Sequence, residues 1–329
     1  MNKEKLQKVF AQFDGFNVVV IGDAMVDAYM WGKVERISPE APVPIVACTN
    51  QENRLGGAAN VALNIQALGA TPILCSVVGD DSKGVIIREL LHAENLTDEG
   101  IFVDPSRPTT VKSRIISDNQ HLLRIDWEKT DNLSPEVEVA FTNHILSIIE
   151  RYKVDAIVFE DYDKGAITVD LIRRVVEKAR AKGIPTLVDP KKRNFTAYNG
   201  VTLFKPNYKE LVEGLKLDVK KNDFEGIFNA AKYIHRQMDV ELVFITLSEL
   251  GVFISNGNSY DAIPAHMREI ADVSGAGDTV ISTASLCLAA GLSPEETATI
   301  ANMAGGLVCE KVGVVPINKQ LLLEECLKA

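Results

Sequence analysis

A glycine-rich turn directly before a predicted helix is the segment of the chain best suited to chemistry. Residues 272–279 read Asp-Val-Ser-Gly-Ala-Gly-Asp-Thr. Small residues let backbone N–H groups approach an anion, and a helix N-terminus favours negative charge. Asp278 would stay ionised there and could take a proton from a hydroxyl. Phosphoryl transfer needs both a base and an anion cradle, here Gly275, Ala276 and Gly277, although an ordinary N-cap aspartate after a glycine-rich turn fits the pattern equally well.

Polar and small residues near the start of the chain form a second candidate site. Asp23 and Asp27 follow the first predicted strand, and Gly56, Gly57 and Asn60 lie at the start of a predicted helix. Open α/β sheets bind ligands beyond the carboxyl ends of their strands, and a carboxylate accepts hydrogen bonds from several sugar hydroxyls at once. Paired glycines permit a ligand to approach closely. The alternatives are a helix-capping aspartate, a surface aspartate and a plain turn.

Strands and helices alternate along most of the chain. The predicted strands are short, continuous apolar runs at 18–21, 73–78, 156–159, 186–188, 203–204 and 242–246. The predicted helices span 58–68, 82–94, 169–181, 208–213 and 224–236, and the chain beyond Gly277 is almost all helical, with one helix from Pro294 to about Lys311. Continuous apolar runs indicate strands buried on both faces, and crossover helices imply parallel pairing. We therefore expect an α/β fold with a mostly parallel central sheet.

Two segments interrupt this alternation, at about 30–54 and about 108–128. The first has three prolines between residues 39 and 44, which argues against a helix. The second has the pattern of a β-hairpin with a polar turn at 117–119. We expect both to form a small antiparallel β lid; the alternative is that they are edge strands of the main sheet. Because no repeat or long linker divides the chain, residues 1–329 are expected to form one domain.

The composition excludes several classes of protein. The 329 residues include 35 Lys and Arg against 45 Asp and Glu, a formal net charge of −10, whereas a general nucleic-acid binder normally has a basic surplus. The uncharged run at 279–294 is too short and too polar to cross a bilayer, and the first residues lack the apolar stretch of a signal peptide. The five widely spaced cysteines are typical of reduced thiols. We expect a cytoplasmic protein with no nucleic-acid or membrane partner.

Four motifs along the chain resemble those of the ribokinase-like (PfkB) family of carbohydrate kinases. They are the Gly-Gly segment at 56–62, Asn-x-x-Glu at 207–210, Thr-x-Ser-x-x-Gly at 246–251 and Gly-Ala-Gly-Asp at 275–278. They occur in the family's order and span nearly the whole chain, with Ser248 where the family usually has glycine. The resemblance implies a three-layer α/β/α fold with a β lid, and ATP-dependent phosphorylation of a sugar.

The resemblance also implies a role for each candidate residue. Asp278 would be the general base, and the N–H groups at 275–277 would hold the phosphoryl oxygens. Asn207 and Glu210 would organise Mg²⁺ through water, although they also fit a helix N-cap and a first-turn glutamate. Nucleotide contacts are implied for Thr246, Ser248, Gly251, Asn302 and Gly313. A monovalent cation beside Asp272 and a homodimer formed through the lids are implied as well.

Further segments narrow the resemblance to the kinase half of the bacterial enzymes that activate the heptose of lipopolysaccharide. They are 22–27, 36–46, 120–126, 161–165 and 189–191. This narrower resemblance implies transfer from ATP to O1 of D-glycero-D-manno-heptose 7-phosphate. The sugar phosphate is a dianion that needs cations, and the candidates are Arg114, Arg124, Lys164 and Lys191. Glu160 stands where that family more often has serine.

Three other functions compete with this interpretation. A kinase of another sugar, such as ribose or a fructose phosphate, would have the same fold, but the segment 36–46 argues against it. A catalytically inactive sugar-binding protein would have no need of Asp278 in its glycine turn. A dinucleotide-dependent oxidoreductase would need G-x-G-x-x-G after the first strand, and that pattern is absent. Since His-x-Gly-His is absent too, we expect the kinase half without a nucleotidyltransferase domain.

Overall fold

The structure, a computed structural model, describes residues 2–118, 120–266 and 269–328. Its helices are α1 Lys3–Gln12, α2 Ala58–Ala67, α3 Ser82–Ala93, α4 Pro135–Arg151, α5 Val169–Lys182, α6 Tyr208–Leu215, α7 Phe224–Met238, α8 Ala276–Ala289, α9 Pro294–Val308 and α10 Lys319–Lys328. Its strands are β1 Asn17–Gly22, β2 Ala24–Ile37, β3 Pro44–Gly57, β4 Thr71–Val78, β5 Ile101–Val103, β6 Val111–Ser117, β7 Gln120–Trp127, β8 Ala156–Glu160, β9 Thr186–Asp189, β10 Leu203–Phe204, β11 Leu242–Thr246, β12 Val252–Ser255 and β13 Tyr260–Ile263. Among these described helices, none has both the length and the apolar character needed to cross a bilayer.

Nine strands form the central sheet, in the order β13-β12-β11-β10-β9-β8-β1-β4-β5. All neighbours from β5 to β11 pair in parallel, while β12 pairs antiparallel with both β11 and β13. The predicted parallel sheet is confirmed, and the antiparallel strands at one edge are an addition to it. The parallel order also brings the carboxyl ends of β1, β8, β9 and β10 side by side at one edge of the sheet.

Residues of the central strands alternate between two apolar cores. Val18 and Val20 of β1 pack in the core shared with α1, α2, α8 and α9. Val19 and Ile21 pack in the core shared with α4, α5 and α7. A strand buried on both faces has a continuous apolar sequence, which is why the apolar runs predicted these strands correctly. The three-layer α/β/α architecture is confirmed.

The lid is a separate four-stranded sheet in the order β3-β2-β6-β7. Strands β2 and β3 pair antiparallel, as do β6 and β7, while β2 and β6 pair in parallel. The predicted hairpin is confirmed, with Asn119 of its turn outside the described residues. The first lid segment is longer than the predicted 30–54, because β2 begins at Ala24 and β3 ends at Gly57. The root of the lid therefore lies directly beside the end of β1 and the start of α2.

Two helix boundaries test the cap signals in the sequence. Ser293 caps α9 through a hydrogen bond to the Glu296 N–H, and Glu296 returns a bond to the Ser293 N–H. This capping box and the proline at the first position confirm the predicted start. The helix ends at Val308, three residues before the predicted Lys311, because residues 309–313 turn back to hydrogen-bond the segment before α8.

Candidate active site

The N-terminus of α8 lies beside Asp189 and Lys205 at the edge of the central sheet. Gly275 precedes the helix with φ +77° and ψ 0° and has no side-chain cap. Left-handed backbone of this kind favours glycine, and an uncapped first turn leaves N–H donors for an anion. Thr279 anchors the turn, because its Oγ1 donates to Asn64 Oδ1 of α2 at 3.1 Å. Asn64 Oδ1 also accepts from the Ile317 N–H at 3.0 Å, so three separate parts of the chain fix this helix end.

Asp278 lies in the first turn of α8 and is only 7% exposed. Burial and then the charge of Asp189 raise its pKa to about 6, while the Asn60 amide, Lys205 and Lys191 oppose the rise. The Tyr162 hydroxyl donates to Asp278 Oδ1 at 3.3 Å. A carboxylate with this pKa is ionised at neutral pH and still basic enough to take a proton from a hydroxyl.

Two lysines and an aspartate form a charged layer under this helix end. Lys205 Nζ lies 2.7 Å from Asp189 Oδ2, and Lys191 Nζ lies 3.2 Å from Asp189 Oδ1. Burial alone would raise the pKa of Asp189, but the two lysines hold it below its usual range. A Cβ atom at Gly277 would lie 3.5 Å from Asp189 Oδ2 and 3.7 Å from Lys205 Nζ. A layer of paired ammonium and carboxylate groups therefore lies directly beneath the turn at 275–277.

Glu160 is a buried acid beside this layer. It ends β8 opposite Asp189 in the strand register, is 1% exposed, and has no hydrogen-bond partner for either carboxyl oxygen among the described residues. Burial, and then Asp189 and Asp278, raise its pKa well above the usual value of 4.5. Glu160 is therefore neutral over the lower part of the pH range in which glutamates are normally ionised.

We expect Glu160→Gln to change how stability depends on pH. The raised pKa in the folded protein makes wild type lose stability as the pH rises from about 4.5 through the folded value. The neutral amide removes that loss, so the variant should gain stability relative to wild type between pH 5 and pH 8. Urea unfolding of both proteins at the two pH values measures the gain. A difference in free energy of unfolding that stays constant between these pH values would contradict the assignment.

The root of the lid carries several of the residues predicted for the sugar side of the site. Asp27 is 7% exposed, and Arg114 Nη1 donates to its Oδ1 at 2.6 Å. The Arg114 and Arg54 guanidinium groups lie 5.2 and 4.9 Å from the centre of the Tyr29 ring. A cavity of about 480 Å³ opens here, and its lining includes Asp27, Tyr29, Arg54 and Asn60. Arg54 is not among the residues predicted for the site. The position of Arg54 two residues before Gly56 in β3 is the sequence signal that points to it.

The two predicted glycines at this root have steric roles. A Cβ at Gly56 would lie 2.4 Å from Asp27 Oδ2, so only glycine leaves the Asp27 carboxylate in place. Gly57 has φ +62°, and a Cβ there would lie 2.2 Å from the Asp23 carbonyl oxygen. Both glycines therefore fit the backbone closely, and they bring Asn60 at the start of α2 up to Asp27 and Asp278.

Asp23 differs from the prediction that it binds substrate. Its carboxylate accepts the backbone N–H groups of Tyr162 at 2.9 Å, Lys164 at 3.1 Å and Ala166 at 3.1 Å. It is 4% exposed, and burial followed by Asp161 raises its pKa to about 6. Because both oxygens bind the backbone, Asp23 holds a loop, and it is not among the residues that line the cavity.

The three other predicted cations have separate partners. Arg124 is exposed and pairs with Asp126 on its own strand. Lys164 pairs with Glu128 at 2.7 Å, near the end of the lid. Lys191 lies away from the lid, between Asp189 and Glu210, with 2.6 Å to Glu210 Oε1. The four candidate cations are therefore divided between the lid and the helix end.

The comparisons with known proteins identify the family of the chain. The model of the pfkB family carbohydrate kinases matches residues 16–320. The chain belongs to this family. It is therefore a phosphotransferase that acts on a sugar hydroxyl, as the resemblance of the motifs predicts.

Curated relatives of this pfkB kinase share more than a third of its residues. The chain is 38% identical over 327 residues to the bifunctional protein HldE of Geotalea uraniireducens, covering 99% of this chain and 66% of that protein. It is 38% identical over 319 residues to HldE of Geobacter sulfurreducens, covering 97% of this chain and 64% of that protein. The chain thus spans about two thirds of the length of these relatives.

Solved structures share the fold of this pfkB kinase at low sequence identity. Phosphofructokinase-2 from Escherichia coli in complex with potassium superposes with a TM-score of 0.76 at 18% identity, covering 95% of this chain and 99% of that chain. Ribokinase from Arabidopsis thaliana complexed with ribose and ATP gives 0.71 at 18% identity, covering 94% and 98%. These likenesses confirm the ribokinase-like fold.

The predicted magnesium residues of this pfkB kinase form a helix cap. Asn207 Oδ1 accepts the Glu210 N–H at 2.9 Å, and Glu210 Oε2 accepts the Asn207 N–H at 2.8 Å. This is the N-cap alternative that the sequence also allowed. Asn207 bridges to Thr246 at the end of β11, so the Asn-x-x-Glu motif and the end of β11 lie together.

The remaining predicted nucleotide residues lie in the turn after β11, on α9 and in the segment after α9. Ser248 and Gly251 have φ values of +53° and +87° in the turn after β11, and Asn302 donates to the Pro264 carbonyl at 2.9 Å. Asp272 accepts the Ser274 N–H at 2.9 Å and the Gly313 N–H at 3.0 Å. Within residues 2–118, 120–266 and 269–328, no group of three or more His, Cys, Asp or Glu side chains is arranged to hold a metal ion.

Proposed function

We propose that this kinase transfers the γ-phosphate of ATP to O1 of D-glycero-D-manno-heptose 7-phosphate, giving heptose 1,7-bisphosphate for ADP-heptose synthesis. The observation that carries the proposal is the buried Asp278 carboxylate at the uncapped N-terminus of α8, beside the lysine layer and the lid root. The sugar class rests on the resemblance of the lid and loop segments and on the similarity to HldE proteins.

In the proposed reaction Asp278 takes the proton from the sugar hydroxyl as that oxygen attacks phosphorus. The N–H groups of Gly275, Ala276 and Gly277 bind the transferring phosphoryl oxygens, and Lys191 and Lys205 lie beneath them to offset the charge that develops. The leaving ADP remains on the side of Thr246, Ser248, Gly251, Asn302 and Gly313.

The Asn-x-x-Glu motif fits Mg²⁺ held through water rather than directly. Both oxygens of Glu210 are taken, one by Lys191 and one by the Asn207 N–H, and Mg²⁺ usually keeps several waters. Bound there with ATP, the ion supplies positive charge to the phosphate oxygens. Each Asp272 oxygen accepts one backbone N–H, which leaves a lone pair on each oxygen for a monovalent cation, and no step is derived through one.

On the sugar side, Asp27 is the proposed acceptor for sugar hydroxyls, with Asn60 beside it. Arg114 and Arg54 are the proposed partners of the 7-phosphate, because their guanidinium groups lie beside the Tyr29 ring at the edge of the cavity. Guanidinium groups can bind phosphate through two hydrogen bonds. Lys164 and Arg124 would add longer-range positive charge from the lid, and Asp23 would hold the loop that carries Lys164.

The test is ADP release from ATP and Mg²⁺ over a panel of D-glycero-D-manno-heptose 7-phosphate, sedoheptulose 7-phosphate, fructose 6-phosphate and ribose. We expect turnover with the heptose phosphate alone, and a KM raised by about tenfold or more in Arg54→Ala, because a charged hydrogen bond to phosphate is lost. Turnover with another sugar would keep the mechanism and overturn the substrate. Heptose phosphate binding in calorimetry without turnover of any sugar would favour the inactive binding protein.

We also propose that two copies of the chain pair through their lids. Leu123, Ile125 and Trp127 alternate along the edge strand β7 and are 54%, 49% and 66% exposed. A row of exposed apolar side chains on an edge strand is suited to pack against the lid of a second copy. Light scattering should give a dimer for wild type and a monomer for Ile125→Lys, whereas Val85→Lys, a control at an exposed apolar residue of α3, should leave the dimer intact. A monomeric wild type would contradict the proposal.

A further inference from the structure

The loop after β8, residues 161–166, is held from two sides by buried charged groups that have no part in the proposed transfer. On one side Asp23 accepts the N–H groups of Tyr162, Lys164 and Ala166. The other side is held by Arg107, which is 9% exposed. Charged side chains are rarely buried against backbone groups in this way, since burial of a charge is unfavourable unless it is fully hydrogen-bonded.

Arg107 has backbone carbonyl groups as its hydrogen-bond partners. It donates to the Lys164 carbonyl at 2.7 Å and to the Lys129 and Asp131 carbonyls at 3.2 Å each. A Cβ at Gly165, where φ is +87°, would lie 2.0 Å from the Asp131 carbonyl oxygen. The loop is thus fixed tightly against the chain that leaves the lid.

The fixed loop brings Tyr162, its second residue, into contact with Asp278. Its hydroxyl donates to Asp278 Oδ1 at 3.3 Å, and Lys191 Nζ lies 5.7 Å from its ring centre. Tyr162 itself is half-buried, and its N–H is one of the three bound by Asp23. The aromatic ring leaves the backbone at a fixed point and reaches the base with its hydroxyl.

We propose that Tyr162 is a positioning residue for the base: its hydroxyl holds the Asp278 carboxylate ionised and in one orientation, and Asp23 and Arg107 fix the loop that presents it. The inference rests on the proposed role of Asp278 and deepens it. A hydrogen bond donated to a carboxylate favours the charged form, so loss of the hydroxyl should raise the pKa of Asp278.

Other charged groups also face Asp278 and have to be separated from Tyr162. They are Glu160 on β8, Asp189 on β9, and Lys191 and Lys205 beyond β9 and β10. The neutral Asn60 amide of α2 faces it as well. A comparison in which only Asp278 and Tyr162 change leaves these groups common to every protein.

The first experiment requires no substrate. Free energies of unfolding in urea are measured between pH 4.5 and 8 for wild type, Tyr162→Phe, Asp278→Asn and the double variant. Since the folded pKa of Asp278 is raised, wild type should lose stability relative to Asp278→Asn as the pH rises to about 6. The same comparison is then made between Tyr162→Phe and the double variant. There the loss of stability should continue to a pH about one unit higher, because the pKa of Asp278 is higher without the hydroxyl. If this stability difference depends on pH in the same way with and without Tyr162→Phe, the proposal is overturned.

A matched control and the kinetics separate positioning from a general loss of structure. Tyr198→Phe removes another buried hydroxyl, which donates to Asp161 at 2.7 Å in the same loop, and it should leave the Asp278 comparison unchanged. With an active sugar, Tyr162→Phe should lower kcat about fivefold at pH 6 and very little at pH 8, with KM unchanged. A raised KM and an unshifted pH profile would make Tyr162 a substrate contact and overturn the positioning role.

If no sugar is turned over, the unfolding comparison still decides whether Tyr162 acts on Asp278. Failure of the proposed function and failure of this inference therefore give different results.

Discussion

Asp278→Asn is expected to lower kcat by about 10²–10⁴-fold, the usual contribution of a positioned general base, while the protein stays folded. Asparagine has the same shape and can still accept the Tyr162 hydroxyl, but it cannot take the sugar proton. In wild type, kcat/KM should fall as the pH drops below about 6, because the pKa of Asp278 is raised to that value. This fall in kcat/KM at low pH should be absent from the residual activity of Asp278→Asn.

The measurement is steady-state ADP release at pH 5 to 8, with Asp261→Asn, an exposed acid on β13, as the control that keeps full activity. An Asn variant within tenfold of wild type would exclude Asp278 as the base. Stability gives an independent readout. Since the folded pKa is raised, the ionised carboxylate opposes folding above about pH 6, so the variant should be more stable than wild type at pH 8.

Lys205→Met is expected to have the largest effect on stability, a loss of about 3–5 kcal/mol in the free energy of unfolding. Lys205 is 2% exposed, and its ammonium is 2.7 Å from Asp189. Removing it leaves Asp189 buried beside Glu160 and Asp278, with Lys191 as its remaining cation among the described residues. Urea unfolding at pH 7 measures the loss.

Two further variants distinguish an unpaired charge from a general packing defect. Lys191→Met also removes a cation from Asp189, but this lysine is 28% exposed and water can replace it, so the loss should be smaller. Lys205→Met combined with Asp189→Asn removes both charges and should recover part of the stability. If Lys205→Met loses less than about 1 kcal/mol, Asp189 is not held by a buried pair.

The sequence predicts the fold well because its signals are local. Apolar runs such as 18–21 identify strands buried on both faces, and the glycine-rich turn identifies the start of α8, which is proposed to bind anions. The lid could be separated from the central sheet because three prolines and a hairpin pattern break the strand and helix alternation. The sequence does not predict the antiparallel strands β12 and β13 or the exact start of β2, since these features depend on pairing with distant strands.

The side-chain partners in the site could be predicted only in part. Asp23 has the expected position after β1, yet its partners belong to a loop about 140 residues away. The side chain therefore binds backbone where the sequence predicts a sugar contact. Asn207 and Glu210 show the opposite case, because both the capping box and the proposed magnesium role use the same two residues. Glu160 is visible in the sequence as an unusual residue, but its missing partners are visible only in three dimensions.

Because α8 is anchored to Asn64, the proposed site is complete only after the C-terminal part of the chain has been synthesised and has folded. The Thr279 hydroxyl and Asn64 meet across 215 residues of sequence, so Asp27 and Asn60 are synthesised long before α8 and Asp278. The proposed sugar side and the proposed base come together only after α8 has docked against α2. Activity in the proposed reaction would therefore report completed folding of the C-terminal helices.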